Sequence, residues 1–198
     1  MNSAPTQSYP GHVDWDSSYR QGEWDFLGDL PETPRYAMVA GYVHKLLPHG
    51  TLLDVGCGFG ALIDYLDMSR YHYSGFDLSE AAIARANVRF PNHVFSTCSV
   101  EDFVPVEDQQ YDIIIFNEVL SQVRNSRDVL VRFYSFLRSG GHVVISQFQN
   151  PNPDSKGAIW SRMFEAEITA NSVALLAEAE SFDQQTGRRW KCYCLSHS

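Results

Sequence analysis

Three glycines and one aspartate near residue 55 are the residues of this chain best suited to hold a ligand. The aliphatic run Thr51–Val55 contains Asp54 and is followed by Gly56, Gly58 and Gly60. Glycines let the backbone approach a ligand closely, and a helix that begins after such a loop can bind the ligand at its N-terminus. A carboxylate at Asp54 would repel a phosphate group and attract an amino group. The stretch therefore predicts a strand, a loop and a helix that bind a ligand with an ammonium group, unless Asp54 only caps amides of the loop.

The same spacing, with Ala61 in place of a third glycine, also fits a dinucleotide-binding loop. That alternative needs a pyrophosphate at the helix N-terminus and a second, catalytic domain. Asp54 disfavours the pyrophosphate, and a length of 198 residues leaves no room for a second domain. The C-terminal residues also predict an antiparallel hairpin instead of a second βαβ half. A zwitterionic ligand with an ammonium and a sulfonium is therefore favoured over a dinucleotide.

The elements that position this loop follow from hydrophobic patterning. From residue 51 onward, short apolar runs alternate with helical patterns, which is typical of βαβ units. The run Tyr111–Phe116 suits a central strand that is buried on both faces. Ser79 and Ser126 are the expected N-caps of two helices. Predicted strands cover residues 51–55, 71–76, 93–97, 111–116 and 142–147, and predicted helices cover residues 35–47, 60–68, 80–89, 128–137 and 157–168.

Two further strands, one within residues 173–182 and one at residues 188–195, meet at a turn around Gly187. We therefore expect an α/β fold with a Rossmann-like, doubly wound, seven-stranded sheet, mostly parallel with one antiparallel strand from the C-terminal hairpin. Residues 1–198 form one predicted domain, with an N-terminal arm and aromatic cap (1–34) and a core (35–198). The aromatic segment of the cap is either a short helix that packs on the core or a lid over the ligand.

Composition narrows the class of protein. The net charge is −9, with 15 basic against 24 acidic residues, so a nucleic acid substrate is disfavoured. The sequence contains neither an apolar run long enough to span a membrane nor a secretory signal pattern. The four cysteines lack a disulfide spacing, and His, Cys and Asp form no metal-ligand pattern. We expect a reduced, cytoplasmic protein that binds neither membrane nor metal.

The segment Leu53–Gly60 resembles the signature loop of class I S-adenosylmethionine-dependent methyltransferases, and the resemblance extends over about residues 35–148. It implies S-adenosylmethionine as cofactor, bound in part by Asp54 and by the loop residues Gly56, Cys57 and Gly58.

The resemblance also implies roles for residues at the end of the second strand and in the loop after the third strand. Asp77 is expected to accept hydrogen bonds from both ribose hydroxyls, and Leu78 to pack on the adenine. After the third strand the family has Asp followed by a small residue, whereas this chain has Ser99 and Val100. The resemblance then implies that the Val100 amide contacts the adenine and that Ser99 or Glu101 accepts from its amino group. Alternatively, Glu101 is a solvated surface acid.

The N-terminal aromatic segment resembles that of a subgroup of small bacterial methyltransferases that includes the nodulation N-methyltransferases. This resemblance implies that Trp24 and Arg35 approach the cofactor, with Arg35 holding the methionine carboxylate. The alternative for Arg35 is a surface residue at a helix start. Asn117, after the fourth strand, is expected to contact the methionine part. The chain has Ser121 and Gln122 where this subgroup carries two tyrosines, so the same acceptor is not expected.

The cofactor implies in-line transfer of a methyl group to N or O of a small molecule, which mainly requires an aligned acceptor. Methylation of a hydroxyl requires a base, whereas an amine can arrive neutral. Glu118, Gln122 and His12 are the candidate catalytic residues, although His12 lies in a stretch typical of a mobile arm. Methylation of a protein side chain, and cofactor binding without transferase activity, remain the alternatives.

Overall fold

The computed structural model describes residues 14–169 and 174–196. His12 lies outside the described residues. Seven strands form one sheet in the order β3-β2-β1-β4-β5-β7-β6, and among the described strands β7 alone runs in the direction opposite to the others. The strands are β1 (Gly50–Val55), β2 (Tyr71–Asp77), β3 (Val94–Thr97), β4 (Tyr111–Asn117), β5 (Leu137–Phe148), β6 (Leu175–Phe182) and β7 (Arg189–Ser196). The predicted seven-stranded, mostly parallel sheet with a C-terminal hairpin is confirmed.

Helices cover both faces of this sheet. They are α1 (Trp15–Arg20), α2 (Thr33–Leu46), α3 (Glu80–Arg89), α4 (Ser126–Tyr134) and α5 (Lys156–Thr169). The alternation of side chains along β4 explains why two cores form. Ile113 and Ile115 pack on the side of α2, whereas Ile114 and Phe116 pack on the side of α4 and α5. All four side chains are fully buried, which confirms β4 as a central strand.

The strand order reverses between β1 and β4. From β1 the chain proceeds to β2 and β3 on one side, and β4 and β5 lie on the other. The loops at the carboxyl ends of β1 and β4 therefore leave in opposite directions and open a cleft between them. This cleft is where the predicted ligand-binding residues gather.

Three local predictions are wrong. The residues after the glycine loop form a short 3-10 helix, Ala61–Tyr65, instead of an α-helix to residue 68. Leu66 adopts an extended backbone and its amide bonds to the Ile63 carbonyl, which closes a 3-10 turn and ends the helix.

Ser126 is not the N-cap of α4. Asn125, in the left-handed conformation, is the cap residue, and Ser126 is the first helical residue. The Ser126 hydroxyl instead accepts a hydrogen bond of 2.9 Å from the Trp160 indole of α5. The helix also ends at Tyr134, three residues before the predicted end, because Leu137 already pairs with Tyr111 as part of β5.

Candidate functional site

Asp54 lies at the floor of the cleft, in β1, and is almost fully buried. Its Oδ2 accepts a hydrogen bond of 2.7 Å from the Tyr73 hydroxyl of the neighbouring strand β2. Its Oδ1 has no hydrogen-bond partner among the described residues. Burial raises the pKa of this carboxyl group to about 7, and the nearby Asp77 acts in the same direction. A buried acceptor without a donor is costly, so this oxygen is suited to meet a cationic donor of a ligand.

Asp77 ties the end of β2 to the glycine loop. Its Oδ2 accepts a hydrogen bond of 2.9 Å from the Gly58 amide, and its Oδ1 accepts one of the same length from the Ser79 amide. Burial raises its pKa, while the backbone amides oppose that shift. Each carboxylate oxygen can accept a second hydrogen bond. Asp77 therefore holds the loop in shape and retains acceptor capacity toward the cleft.

The glycine loop is shaped by two positions that reject a side chain. Gly58 has φ +55°, and a Cβ there would lie 2.5 Å from the Tyr19 hydroxyl. Gly56 has φ +67°, and a Cβ there would lie 2.5 Å from a methyl group of Val119. Both backbone conformation and contact therefore require glycine, and the loop presents bare peptide groups to the cleft. Cys57 presents its backbone as well, because its thiol is buried against Gly75.

The far end of the cleft is lined by the residues predicted to contact an adenine. Leu78 is about half exposed, as expected of an apolar surface that a flat ring could cover. The Ser99 hydroxyl donates a 2.7 Å hydrogen bond to Asp102 and accepts one of 3.0 Å from the Asp102 amide. Ser99 thus closes a local turn, and the exposed Glu101 is the carboxylate that lines the cleft beside it.

The N-terminal segment forms one wall of the cleft. Trp15, Tyr19, Trp24 and Phe26 all line it, and their rings lie within 5.2–6.2 Å of one another where they pair. Asp16 fastens the segment to the core, because its Oδ1 accepts hydrogen bonds from the Ala81 amide (2.8 Å) and the Ser79 hydroxyl (3.0 Å). The segment is therefore both a short packed helix and a wall of the cleft.

A buried group of charges lies between the N-terminal segment and the C-terminal hairpin. Glu32 and Arg35 are each about 3 % exposed and pair at 3.0 Å, and the second Glu32 oxygen pairs with Arg188. The contact between Glu32 and Arg35 is not aligned as a hydrogen bond. Nε and Nη2 of Arg35 therefore remain without a hydrogen-bond partner within the described parts of the chain. Unsatisfied buried donors on a cation at a cleft wall are suited to bind an anionic group.

The last residue of β4, Asn117, and the first residue after the strand, Glu118, both line the cleft. The Asn117 side-chain oxygen accepts a hydrogen bond of 2.5 Å from the Ser146 hydroxyl of β5. Glu118 has φ +68°, a left-handed conformation that costs a non-glycine residue about 1–3 kcal/mol. Its Oε2 accepts a hydrogen bond of 3.0 Å from the Phe148 amide. Burial raises the pKa of Glu118 to about 7, and the positive charge of Arg35 opposes that shift.

The structure thus brings all of the sequence-predicted site residues that it describes to a single cleft of about 480 Å³. This group includes Gln122, which is exposed at the edge of the cleft. Several other residues that line it were not predicted as site residues, among them Tyr19, Glu32, Arg188 and Trp190. Tyr19 belongs to the aromatic segment, and that signal could have identified it. No sequence pattern links Glu32 to Arg188, because 156 positions separate them.

Solved structures of methyltransferases share this fold. The N-methyltransferase NodS of Bradyrhizobium japonicum WM9 aligns with a TM-score of 0.72 and 18 % identity, over 86 % of this chain and 99 % of that one. A 1,6-didemethyltoxoflavin-N1-methyltransferase of Burkholderia thailandensis, solved with S-adenosylhomocysteine, aligns with a TM-score of 0.74 and 17 % identity, over 98 % of this chain and 94 % of that one. At these identities the likeness establishes the fold.

Curated relatives match part of their own length. A ubiquinone biosynthesis O-methyltransferase of Marinobacter nauticus is 31 % identical over 52 % of this chain and 45 % of its own. A polyketide synthase-nonribosomal peptide synthetase of Pyricularia oryzae is 27 % identical over 69 % of this chain and 4 % of its own. The chain therefore spans less than half the length of these relatives.

A family model described as a methyltransferase domain matches residues 32–189, which include the glycine loop, Asp77 and Glu118. The resemblance inferred from the glycine loop is thereby confirmed, and the chain belongs to the methyltransferase domain family.

Proposed function

We propose that this protein is an S-adenosylmethionine-dependent methyltransferase that acts on N or O of a small molecule. The observation that carries the proposal is a pair of unsatisfied buried groups that both line the cleft. Asp54 offers an acceptor without a donor, and Arg35 offers donors without an acceptor. The methionine part of S-adenosylmethionine carries an ammonium and a carboxylate on one carbon. It would therefore satisfy both Asp54 and Arg35.

The remaining lining fits the other half of the same cofactor. Asp77 would accept from the ribose hydroxyls, Leu78 would cover one face of the adenine, and the backbone at Val100 with Glu101 would meet its polar edge. Asn117 would contact the methionine part beside the glycine loop. S-adenosylmethionine supplies a methyl group that its sulfonium already activates.

The residues of the chain have three tasks in this proposal: they bind the cofactor, they align an acceptor and they keep water out. Tyr19, Trp24 and their neighbours would perform the last task, since they form an apolar wall over the loop. We further propose that the protein functions as one domain with the N-terminal segment as its cap. Of the described helices, none is long and apolar enough to cross a membrane.

Calorimetric titration with S-adenosylhomocysteine tests the cofactor assignment. We expect saturable binding to the unaltered protein and a loss of at least about 100-fold in affinity for Asp77→Ala, because a buried hydrogen-bonded carboxylate is removed. Asp128→Ala, an exposed acid in the first turn of α4, is the matched control and should bind normally. Absence of binding to the unaltered protein, or unchanged binding by Asp77→Ala, would disprove the assignment.

Release of S-adenosylhomocysteine from S-adenosylmethionine, measured with a panel of small amines and hydroxyl compounds, separates an enzyme from a protein that only binds the cofactor. Acceptor-dependent release that disappears on heat denaturation supports the proposal. Tight cofactor binding without release for any acceptor would favour the binding-only alternative.

A further inference from the structure

We propose that the acceptor is a planar aromatic compound methylated on a neutral nitrogen, and that Glu118 is the carboxylate that faces this nitrogen. The inference rests on the proposed function, because it concerns the part of the cleft that the cofactor would leave unoccupied. It goes beyond the proposed function by choosing nitrogen over oxygen and by naming the residue that makes the choice.

The acceptor part of the cleft can be located from topology. The cofactor would occupy the carboxyl ends of β1, β2 and β3. The remaining lining comes from the loop after β4, the junction of β5 with β7, and the 3-10 turn Asp25–Gly28. Apolar side chains dominate it, namely Phe26, Leu27, Val119, Val123, Phe148 and Trp190.

Aromatic rings form the walls of this part. Phe148 and Trp190 lie side by side with ring centroids 5.9 Å apart, and Trp190 is only 2 % exposed, so its orientation is fixed by packing. The Arg188 guanidinium, which also lines the cleft, lies over the Phe26 ring at 5.2 Å. Flat rings and a stacked guanidinium recognise flat apolar ligands through offset stacking. An aromatic acceptor is therefore a better match than an open-chain or sugar-like acceptor.

Glu118 lies next to this aromatic wall. The Phe148 amide holds its Oε2 at 3.0 Å, whereas its Oε1 has only a long contact of 3.4 Å with the Ser146 hydroxyl, which already donates to Asn117. The left-handed backbone at Glu118 is an independent sign that the position is constrained for function. Arg35 of α2, Glu32 and the Cys192 thiol of β7 are the other ionisable groups close enough to influence this carboxyl group.

The balance of charges favours an acceptor that becomes positive. Arg35 and Arg188 carry two positive charges, and Glu32 and Glu118 carry two negative charges when ionised. The carboxylate and the sulfonium of a bound cofactor would cancel each other, so this region would stay neutral overall. As the methyl group moves, the positive charge passes from sulfur to the nitrogen, and an ionised Glu118 beside that nitrogen stabilises the transition state. A phenolate in the same position would meet the like charge of Glu118 and be disfavoured.

Proton transfer points in the same direction. The nitrogen lone pair forms the new bond to the methyl carbon while the carbon–sulfur bond breaks and its electron pair stays on sulfur; the surplus proton on nitrogen then passes to the Glu118 carboxylate or to water. A phenol must lose its proton first, and its pKa of about 10 lies far above the value of about 7 for Glu118. Among the cleft-lining residues that the structure describes there is no His or Lys, and the Gln122 amide cannot accept the proton.

Isosteric acceptors test the choice of atom. We suggest calorimetric titration of 1-naphthylamine, 1-naphthol and cyclohexylamine into protein saturated with S-adenosylhomocysteine. We expect 1-naphthylamine to bind at least about tenfold more tightly than either of the other two, because it alone combines a flat ring with a neutral nitrogen. In Glu118→Gln the preference over 1-naphthol should fall to about threefold or less, while Glu180→Gln, an exposed acid on the edge strand β6, should keep it.

Mass spectrometry of the products gives the second readout, and N-methyl-1-naphthylamine should form faster than 1-methoxynaphthalene. Equal or tighter binding of 1-naphthol, faster O-methylation, an unchanged preference in Glu118→Gln, or no binding of either naphthyl compound would overturn the inference. Failure of S-adenosylhomocysteine itself to bind would instead disprove the proposed function, so the two failures are distinguishable.

Discussion

The two halves of the cleft are built in different ways. At the ends of β1 and β2, the cleft is shaped mainly by the backbone. The glycine loop is fixed there by positive φ angles and by the hydrogen bond from the Gly58 amide to Asp77. At the ends of β4, β5 and β7, the cleft is shaped mainly by side chains. Aromatic rings pack on one another there, and Glu32 pairs with two arginines from distant parts of the chain. The first half is specified by neighbours in sequence and the second by neighbours in space.

This difference predicts different sensitivities. A half built from backbone geometry should fail abruptly when one residue loses its permitted conformation. A half built from side chains should lose affinity in graded steps, because each side chain contributes separately and conservative replacements retain part of the interaction. The following experiments would break or sharpen this comparison.

Gly58→Ala should have the largest effect. Alanine is strained at φ +55°, and its Cβ would lie 2.5 Å from the Tyr19 hydroxyl. We expect the affinity for S-adenosylhomocysteine to fall by about 100-fold or more, since strain and displacement together cost about 3 kcal/mol. Calorimetric titration measures this affinity. Gly41→Ala, in the middle of α2 with open space around it, is the control and should bind normally.

Addition of Tyr19→Phe to Gly58→Ala separates the two causes. The double variant removes the clash with the hydroxyl and keeps the backbone strain, so it should recover only part of the affinity. Full recovery would show that the cap, and not the backbone, dictates glycine at this position.

Arg35→Met should weaken cofactor binding by about 30-fold, because loss of a buried charged partner costs about 2 kcal/mol or more. Arg35→Lys should retain part of the affinity, since it keeps the charge but loses the planar fork. Arg189→Met, which removes an exposed ion pair with Glu180, is the matched control. Equal binding by the Met and Lys variants would contradict the graded behaviour expected here.

Raising the pH from 6 to 8 should tighten binding of S-adenosylhomocysteine by about tenfold. The pKa of Asp54 is about 7 in the folded protein, so its carboxyl group changes from mostly neutral to mostly ionised over this range and can then meet an ammonium group. Calorimetry at several pH values measures the slope. In Asp54→Asn the slope should largely disappear, and a slope that persists there would assign it to another group.

The same pKa has the opposite effect on the unliganded fold. Because burial raises the pKa of Asp54 from 3.8 to about 7, the folded state binds its proton more tightly than the unfolded state does. The contribution of Asp54 to the free energy of unfolding is therefore greatest below pH 4 and is lost as pH rises to about 7. Urea denaturation of the wild type and Asp54→Asn across this range should show the difference.

Asp16→Ala should have the smallest effect, about threefold to fivefold in affinity. Asp16 joins α1 to the first turn of α3 through the Ala81 amide and the Ser79 hydroxyl, and loss of such a capping contact costs about 1 kcal/mol. We expect a faster dissociation rate with little change in association, measured by stopped-flow tryptophan fluorescence. Asp14→Ala, which loses only a cap within α1, is the comparison. Loss of all binding would show that the attachment of the N-terminal segment to α3 is essential to the site.

The sequence indicated the first half of the cleft far better than the second. Strand ends, the glycine loop and Asp77 are local features, and they occur where the patterns predict them. The ion pair of Glu32 with Arg188 could not be predicted, because it depends on how the hairpin β6–β7 packs against the N-terminal segment. Ser126 is a smaller example of a role that the sequence did not predict. Its residue type favours an N-cap, but the left-handed Asn125 takes the cap position, and the Ser126 hydroxyl bonds to the indole of Trp160.

The position of β7 between β5 and β6 affects the order in which the cleft can form during translation. Seven consecutive residues of β5 pair with β7, from His142 with Ser196 to Phe148 with Trp190. A nascent chain that has emerged only as far as β6 lacks this interior strand, and with it Arg188 and Trp190 of the cleft. The backbone-built half of the cleft can therefore form first, whereas the half built from side chains is completed only after β7 has been translated.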